Sequence, residues 1–124
     1  MLKKVAFTMY PIRDVARARR FYEETLGLKV GLNGNQGNKW WIEYDLPGGG
    51  CVALTNFIPD EPSAAAGGTI AFEVEDLDTL IANLKSKGAT FRGDMVHGPK
   101  CRMITCLDTE GNTFGVMEAD EKAK

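Results

Sequence analysis

The chain has 124 residues, 44% of them hydrophobic and 26% charged, with a formal net charge of −2. That balance belongs to one globular domain with a core of its own and excludes an intrinsically disordered chain. The near-equal count of 15 basic and 17 acidic residues excludes the electrostatic footprint of a nucleic-acid or anionic-membrane binder. The arginines at 13, 17, 19 and 20 read as the solvated face of a helix. No apolar run approaches the roughly 18 residues that cross a bilayer. The N-terminal Met-Leu-Lys-Lys runs into a strand-like segment without a signal-peptide core. Cys51, Cys101 and Cys106 are odd in number and lack C-x-x-C spacing, so they read as thiols of a reducing compartment, and a cytoplasmic location is expected.

In chain order, a strand is expected over residues 5–10. Asp14 then caps a helix whose apolar stripe is Val15, Ala18, Tyr22 and Leu26 and whose stop is Gly27. Strands follow over 28–32, 40–46 and 51–57, separated by turns rich in Gly, Asn and Pro at 33–38 and 47–50. Residues 58–68, with two prolines and an Ala-Ala-Ala-Gly-Gly run, read as a linker. A second strand is expected over 69–74. Asp76 caps a second helix in which Leu77, Leu80, Ile81 and Leu84 share one face, and Gly88 ends it. Strands at 90–92, 102–107 and 113–118 complete the chain, with a loop through Gly98-Pro99 and a turn at 108–112.

The two halves repeat. Gly27 and Gly50 in the first half match Gly88 and Gly111 in the second at one offset of 61 residues. Each half reads strand–helix–strand–strand–strand, which gives module 1 as about 1–57, the linker as 58–68 and module 2 as about 69–120 of a single 1–124 domain. Neither half alone buries both faces of its sheet.

Three segments carry a resemblance. Asp14-Val-Ala-Arg-Ala-Arg-Arg-Phe-Tyr-Glu-Glu-Thr-Leu-Gly-Leu28 resembles the first helix of the vicinal-oxygen-chelate (glyoxalase, bleomycin-resistance, extradiol-dioxygenase) superfamily. Ile70-Ala-Phe-Glu-Val-Glu-Asp-Leu-Asp78 resembles its second strand–helix junction, and Leu107-Asp-Thr-Glu-Gly-Asn112 its D-P-D-G-N turn. The resemblance implies an α+β fold of two tandem βαβββ modules whose curved mixed sheets surround a cleft. It also implies a homodimer.

Metal-using members of that superfamily hold one divalent ion on four inner-face residues. The resemblance puts those positions at Phe7, Ala53, Thr69 and Gly115. Phenyl, methyl and hydrogen offer no lone pair, and a lone threonine hydroxyl is a poor ligand for zinc, nickel or iron. The chain also has one histidine, His97, so a two-histidine site cannot be assembled from it. The expectation is therefore no metal and no cofactor.

Strand alternation gives the cleft lining. If the four positions face inward, so do Val5, Met9, Cys51, Thr55, Ala71, Glu73, Thr113 and Met117, together with Trp41, Glu43 and Asp45 from the aromatic strand. Trp40, Ile42 and Tyr44 then pack beneath the helix. Such a lining suits a small apolar or aromatic ligand with one or two polar anchors, and Trp41 is placed to stack on it. Lys100 and Arg102 are candidates to receive an anionic group. The leading reading is a small-molecule-binding protein without chemistry. The alternative is a metal-independent isomerase or lyase in which Glu43, Glu73 or His97 transfers a proton.

Overall fold

The computed structural model describes residues 1 and 3–120. It divides into two compact units, Met1–Pro62 and Ser63–Lys124. Among the described residues no helix is long and apolar enough to cross a membrane.

The first unit contains β1 (Thr8–Pro11), α1 (Val15–Arg20), β2 (Val30–Gln36), β3 (Lys39–Asp45) and β4 (Cys51–Thr55). The sheet order is β1-β4-β3-β2, with β1 parallel to β4 and the other pairs antiparallel. Asp14 caps α1 by accepting from the Arg17 amide at 3.0 Å. The helix then widens into one π-helical segment, Phe21–Thr25, closed by the Leu26 amide on the Phe21 carbonyl at 2.9 Å. Gly27, at φ +76°, supplies the left-handed residue that turns the chain out of it.

Alternation decides what α1 covers. Tyr10, Ile42, Tyr44, Val52 and Leu54 form one face of the sheet and are buried, as are Ala18, Phe21 and Tyr22. Tyr22 stacks on Tyr44 with ring centroids 6.0 Å apart and planes 17° from parallel. Tyr44 is fully buried, so its hydroxyl needs a partner, and it donates to Glu23 Oε2 at 2.8 Å. Arg19 donates to the same carboxylate at 2.7 Å. Partial burial pushes the Glu23 carboxyl up, but the Arg19 and Tyr44 hydrogen bonds outweigh it and hold the group below its usual value.

The second unit contains β5 (Ile70–Glu73), α2 (Leu77–Ser86), β6 (Thr90–Phe91), β7 (Val96–His97), β8 (Cys101–Leu107) and β9 (Thr113–Ala119). Its sheet order is β5-β9-β8-β6, with β7 also pairing β8. The parallel β5·β9 pair repeats the β1·β4 arrangement. Leu77 and Leu84 of α2 are fully buried, as are Cys106 and Phe114. Asp76 caps α2 by accepting from the Thr79 amide at 3.1 Å and the Thr79 hydroxyl at 2.8 Å. The 108–112 turn is tied by Asp108 Oδ1, which accepts from the Glu110 and Asn112 amides at 2.9 and 2.8 Å.

Several expectations change. The first strand begins at Thr8, so Val5 and Phe7 precede it. β2 runs on to Gln36 through the segment expected as a turn, leaving a two-residue reversal at Gly37-Asn38. His97 lies in the short strand β7 rather than in a loop. The counterpart of β2 in the second unit is split into β6 and β7, both on the same edge of β8. The expected linker is pinned near its middle. Arg13 pairs with Glu61 in the first unit, and Thr113 and Arg92 donate to the Ala64 carbonyl in the second.

Two outcomes follow for stability. Leu84→Ala should lower the unfolding free energy by about 2–5 kcal/mol in denaturant titration, and a loss below about 1 kcal/mol would place that side chain outside the core. Glu23 has a folded pKa below its unfolded one. It therefore stabilises the fold fully above the unfolded pKa, and that contribution is lost as pH falls through the folded value. Glu23→Gln should flatten the acid limb of a stability–pH curve, whereas an unchanged limb would deny the ion pair a role.

Candidate functional site

The face of the first sheet opposite α1 is set by register. Met9 pairs with Ala53, Ala53 with Glu43, and Glu43 with Leu32. Trp41, Glu43 and Asp45 therefore share one face of β3, and Cys51, Ala53 and Thr55 share the same face of β4. Leu32 reaches this face because β2 shifts register between Val30 and Leu32.

This face is apolar and partly open. Phe7, Met9 and Leu32 are 42%, 44% and 53% exposed, which is unusual for side chains of that kind lying together. Phe7 meets Trp41 edge-to-face, with ring centroids 5.2 Å apart. Ala53 is fully buried among these larger neighbours.

One polar group stands in the middle of it. The Trp41 indole Nε1–H donates to Glu43 Oε2 at 2.7 Å, and the Cys51 thiol donates to Glu43 Oε1 at 3.8 Å. Burial pushes the Cys51 thiol up, and the Glu43 and Asp45 carboxylates push it further. Cys51 thus stays a protonated donor rather than a nucleophilic thiolate. Thr55, expected as lining, is fully buried and spends its hydroxyl on the Trp40 carbonyl at 3.0 Å.

In the second sheet, Ala71 pairs with Gly115, Glu73 with Met117, and Met117 with Met103, so these share the face opposite α2. A Cβ added at Gly115 would lie 3.2 Å from Met103 Sδ, so the methionine already fills the space beside this glycine. Thr69, just before β5, is exposed. Thr113 is buried and donates to the Ala64 carbonyl at 2.9 Å, which makes it a fastening for the chain rather than lining.

Arg102 lies on the other face of the second sheet. It pairs with Glu118 across β8·β9, on the side that faces α2, and its guanidinium bonds Glu118 Oε2 and Asp78 Oδ1 at 3.1 Å each. Glu118 in turn accepts from the Leu77 amide at the start of α2. The arginine thus holds strand to helix and lies across the sheet from Gly115 and Met117. His97 pairs with Arg102 and shares its side, while Glu73 is on the other. The second unit therefore does not bring Glu73 and His97 to one face. Among the described residues no group of three or more His, Cys, Asp or Glu side chains could hold a metal ion.

Residues 4–116 match the sequence model of the Glyoxalase/Bleomycin resistance protein/Dioxygenase superfamily. The chain belongs to this superfamily. A curated relative, the anthracycline biosynthesis protein DauV of Streptomyces sp. (strain C5), is 30% identical over 110 residues. The match covers 87% of this chain but 38% of DauV. Among solved structures, TnmS3, an antibiotic-binding protein from Streptomyces sp. CB03234, superposes with a TM-score of 0.80 at 22% identity, covering 96% of this chain and 98% of TnmS3. A glyoxylase/bleomycin resistance protein/dioxygenase domain from Frankia sp. EAN1pec superposes at 0.77 with 24% identity, covering 98% and 95%. These structural likenesses establish the family's α+β fold.

Sequence reasoning placed Phe7, Met9, Trp41, Glu43, Cys51 and Ala53 together, and the structure joins them. It missed Leu32 and Met103. Leu32 follows from a register shift that alternation cannot foresee, but the position of Met103 opposite Met117 was available from the parity of β8.

The Glu43 carboxylate's effect on Cys51 gives a direct check. Glu43→Gln should speed alkylation of Cys51, followed residue by residue by mass spectrometry. Cys106, whose burial pushes its thiol up to about 11, should not change. An unaltered or slower rate at Cys51 would contradict the contact.

Proposed function

We propose that this chain binds a small apolar or aromatic molecule on the open face of its first sheet, and that it binds without transforming it. The observation that carries the reading is the edge-to-face Phe7–Trp41 pair, flanked by the exposed Met9 and Leu32 around the Glu43 carboxylate that Trp41 orients. Aromatic faces with few polar anchors are how proteins hold planar ligands. The description of TnmS3 as an antibiotic-binding protein supports the binding reading.

We read the site as metal-free. Phe7 and Ala53 in the first unit, and Thr69 and Gly115 in the second, stand where the resemblance puts the ligands of metal-using members. Their donor set, one hydroxyl among four positions, does not fit a divalent ion. Of the proton-transfer candidates, Glu43 alone stands on the aromatic wall. Glu73 and His97 lie on opposite sides of the second sheet.

The test is calorimetric titration with a panel of planar aromatic compounds. At least one should bind, EDTA should leave its affinity unchanged, and Trp41→Ala should weaken it by about tenfold or more, as losing a buried aromatic contact does. Binding that needs an added divalent ion, or that survives Trp41→Ala intact, would overturn the reading.

A further inference from the structure

The surroundings of Glu43 bear on which aromatic molecules this wall accepts. Both donors to its carboxylate, the Trp41 indole and the Cys51 thiol, are neutral. Among the described residues neither Glu43 nor Asp45 enters an ion pair. The contrast lies on the other side of the same sheet, where Glu23 has Arg19. A carboxylate offers about four lone-pair directions and no proton to donate. Two donors use one direction on each oxygen and leave the remaining directions for a ligand.

Two further charges share this face of β3 by parity, Asp45 and Lys39, and the Lys39 ammonium is engaged by the Asn56 carbonyl at 3.3 Å. Asp45 follows Glu43 by two residues on β3 and pairs with Cys51. Its Oδ2 lies 2.7 Å from where a Cβ on Gly31 would stand, so glycine at that position makes room for it. The wall thus presents aromatic carbon, whose ring faces attract cations, beside two carboxylates without a counter-ion.

We propose that Glu43 is the specificity-determining residue of this wall, and that the ligand is a planar aromatic molecule bearing a protonated amine. This rests on the ligand-binding reading above. The ammonium donates to the free lone pairs of Glu43 while the ring system lies against Trp41 and Phe7. A neutral molecule of the same shape gains only the ring contact, and an anionic one is repelled.

The test uses three planar probes: 9-(aminomethyl)anthracene, protonated at neutral pH, as the cation, 9-anthracenemethanol as the neutral molecule and anthracene-9-carboxylate as the anion. Affinities are measured calorimetrically for the wild-type protein and for Glu43→Gln, which keeps an oxygen acceptor for the Trp41 indole. The cation should bind about tenfold more tightly than the neutral probe, and Glu43→Gln should bring the ratio of the two affinities to about one. Raising the ionic strength on the unaltered protein should weaken the cation alone, a readout independent of whether the variant folds. Equal affinities for all three probes, or a cation preference that survives both Glu43→Gln and salt, would overturn this inference and leave the ligand-binding reading standing. Binding of none of them would overturn both.

Discussion

Among the described residues, each unit has a two-faced sheet and one helical stretch packed on it. Alternation along the strands sends every second side chain to each face. In the first unit, Ile42, Tyr44, Val52 and Leu54 meet the helix and are buried. Their neighbours Trp41, Glu43 and Cys51 go to the other face, where Phe7, Met9 and Leu32 stay open. The candidate site is the direct consequence of this shortage of cover.

The covered side explains how the open side is held. Tyr44 lies between Glu43 and Asp45 on β3, and its ring and hydroxyl are fixed by Tyr22 and Glu23. The π-helical segment carries both of these residues. A strand anchored so firmly beneath presents its alternate residues above in a fixed register. The Trp41–Glu43 hydrogen bond links residues two apart on that same strand, and it needs no loop to position it.

Much of this was legible in the sequence. The stop glycines at 27 and 88 and the caps at Asp14 and Asp76 marked both helices, and the parity of residues 40–45 separated wall from core. What escaped has local physical causes. A register shift in β2 brought Leu32 to the open face, and alternation assumes there are none. The sequence offers Arg102 as a receiver of an anionic group but does not show that its parity sets it beside Glu118, with which it pairs. The strand at Val96–His97 is two residues long, too short to leave a pattern. Thr55 and Thr113 kept the expected parity, but their hydroxyls are taken by backbone carbonyls, which composition does not reveal.

The claim that the uncovered face of the first sheet receives the ligand is most directly tested by NMR titration of the isotope-labelled protein with a planar aromatic compound that binds. The account predicts that the largest shift changes fall on Phe7, Met9, Leu32, the Trp41 indole N–H and Cys51. Changes centred instead on Arg19, Arg20 and Glu24 of the first helical stretch, or around Arg102 and His97, would contradict it.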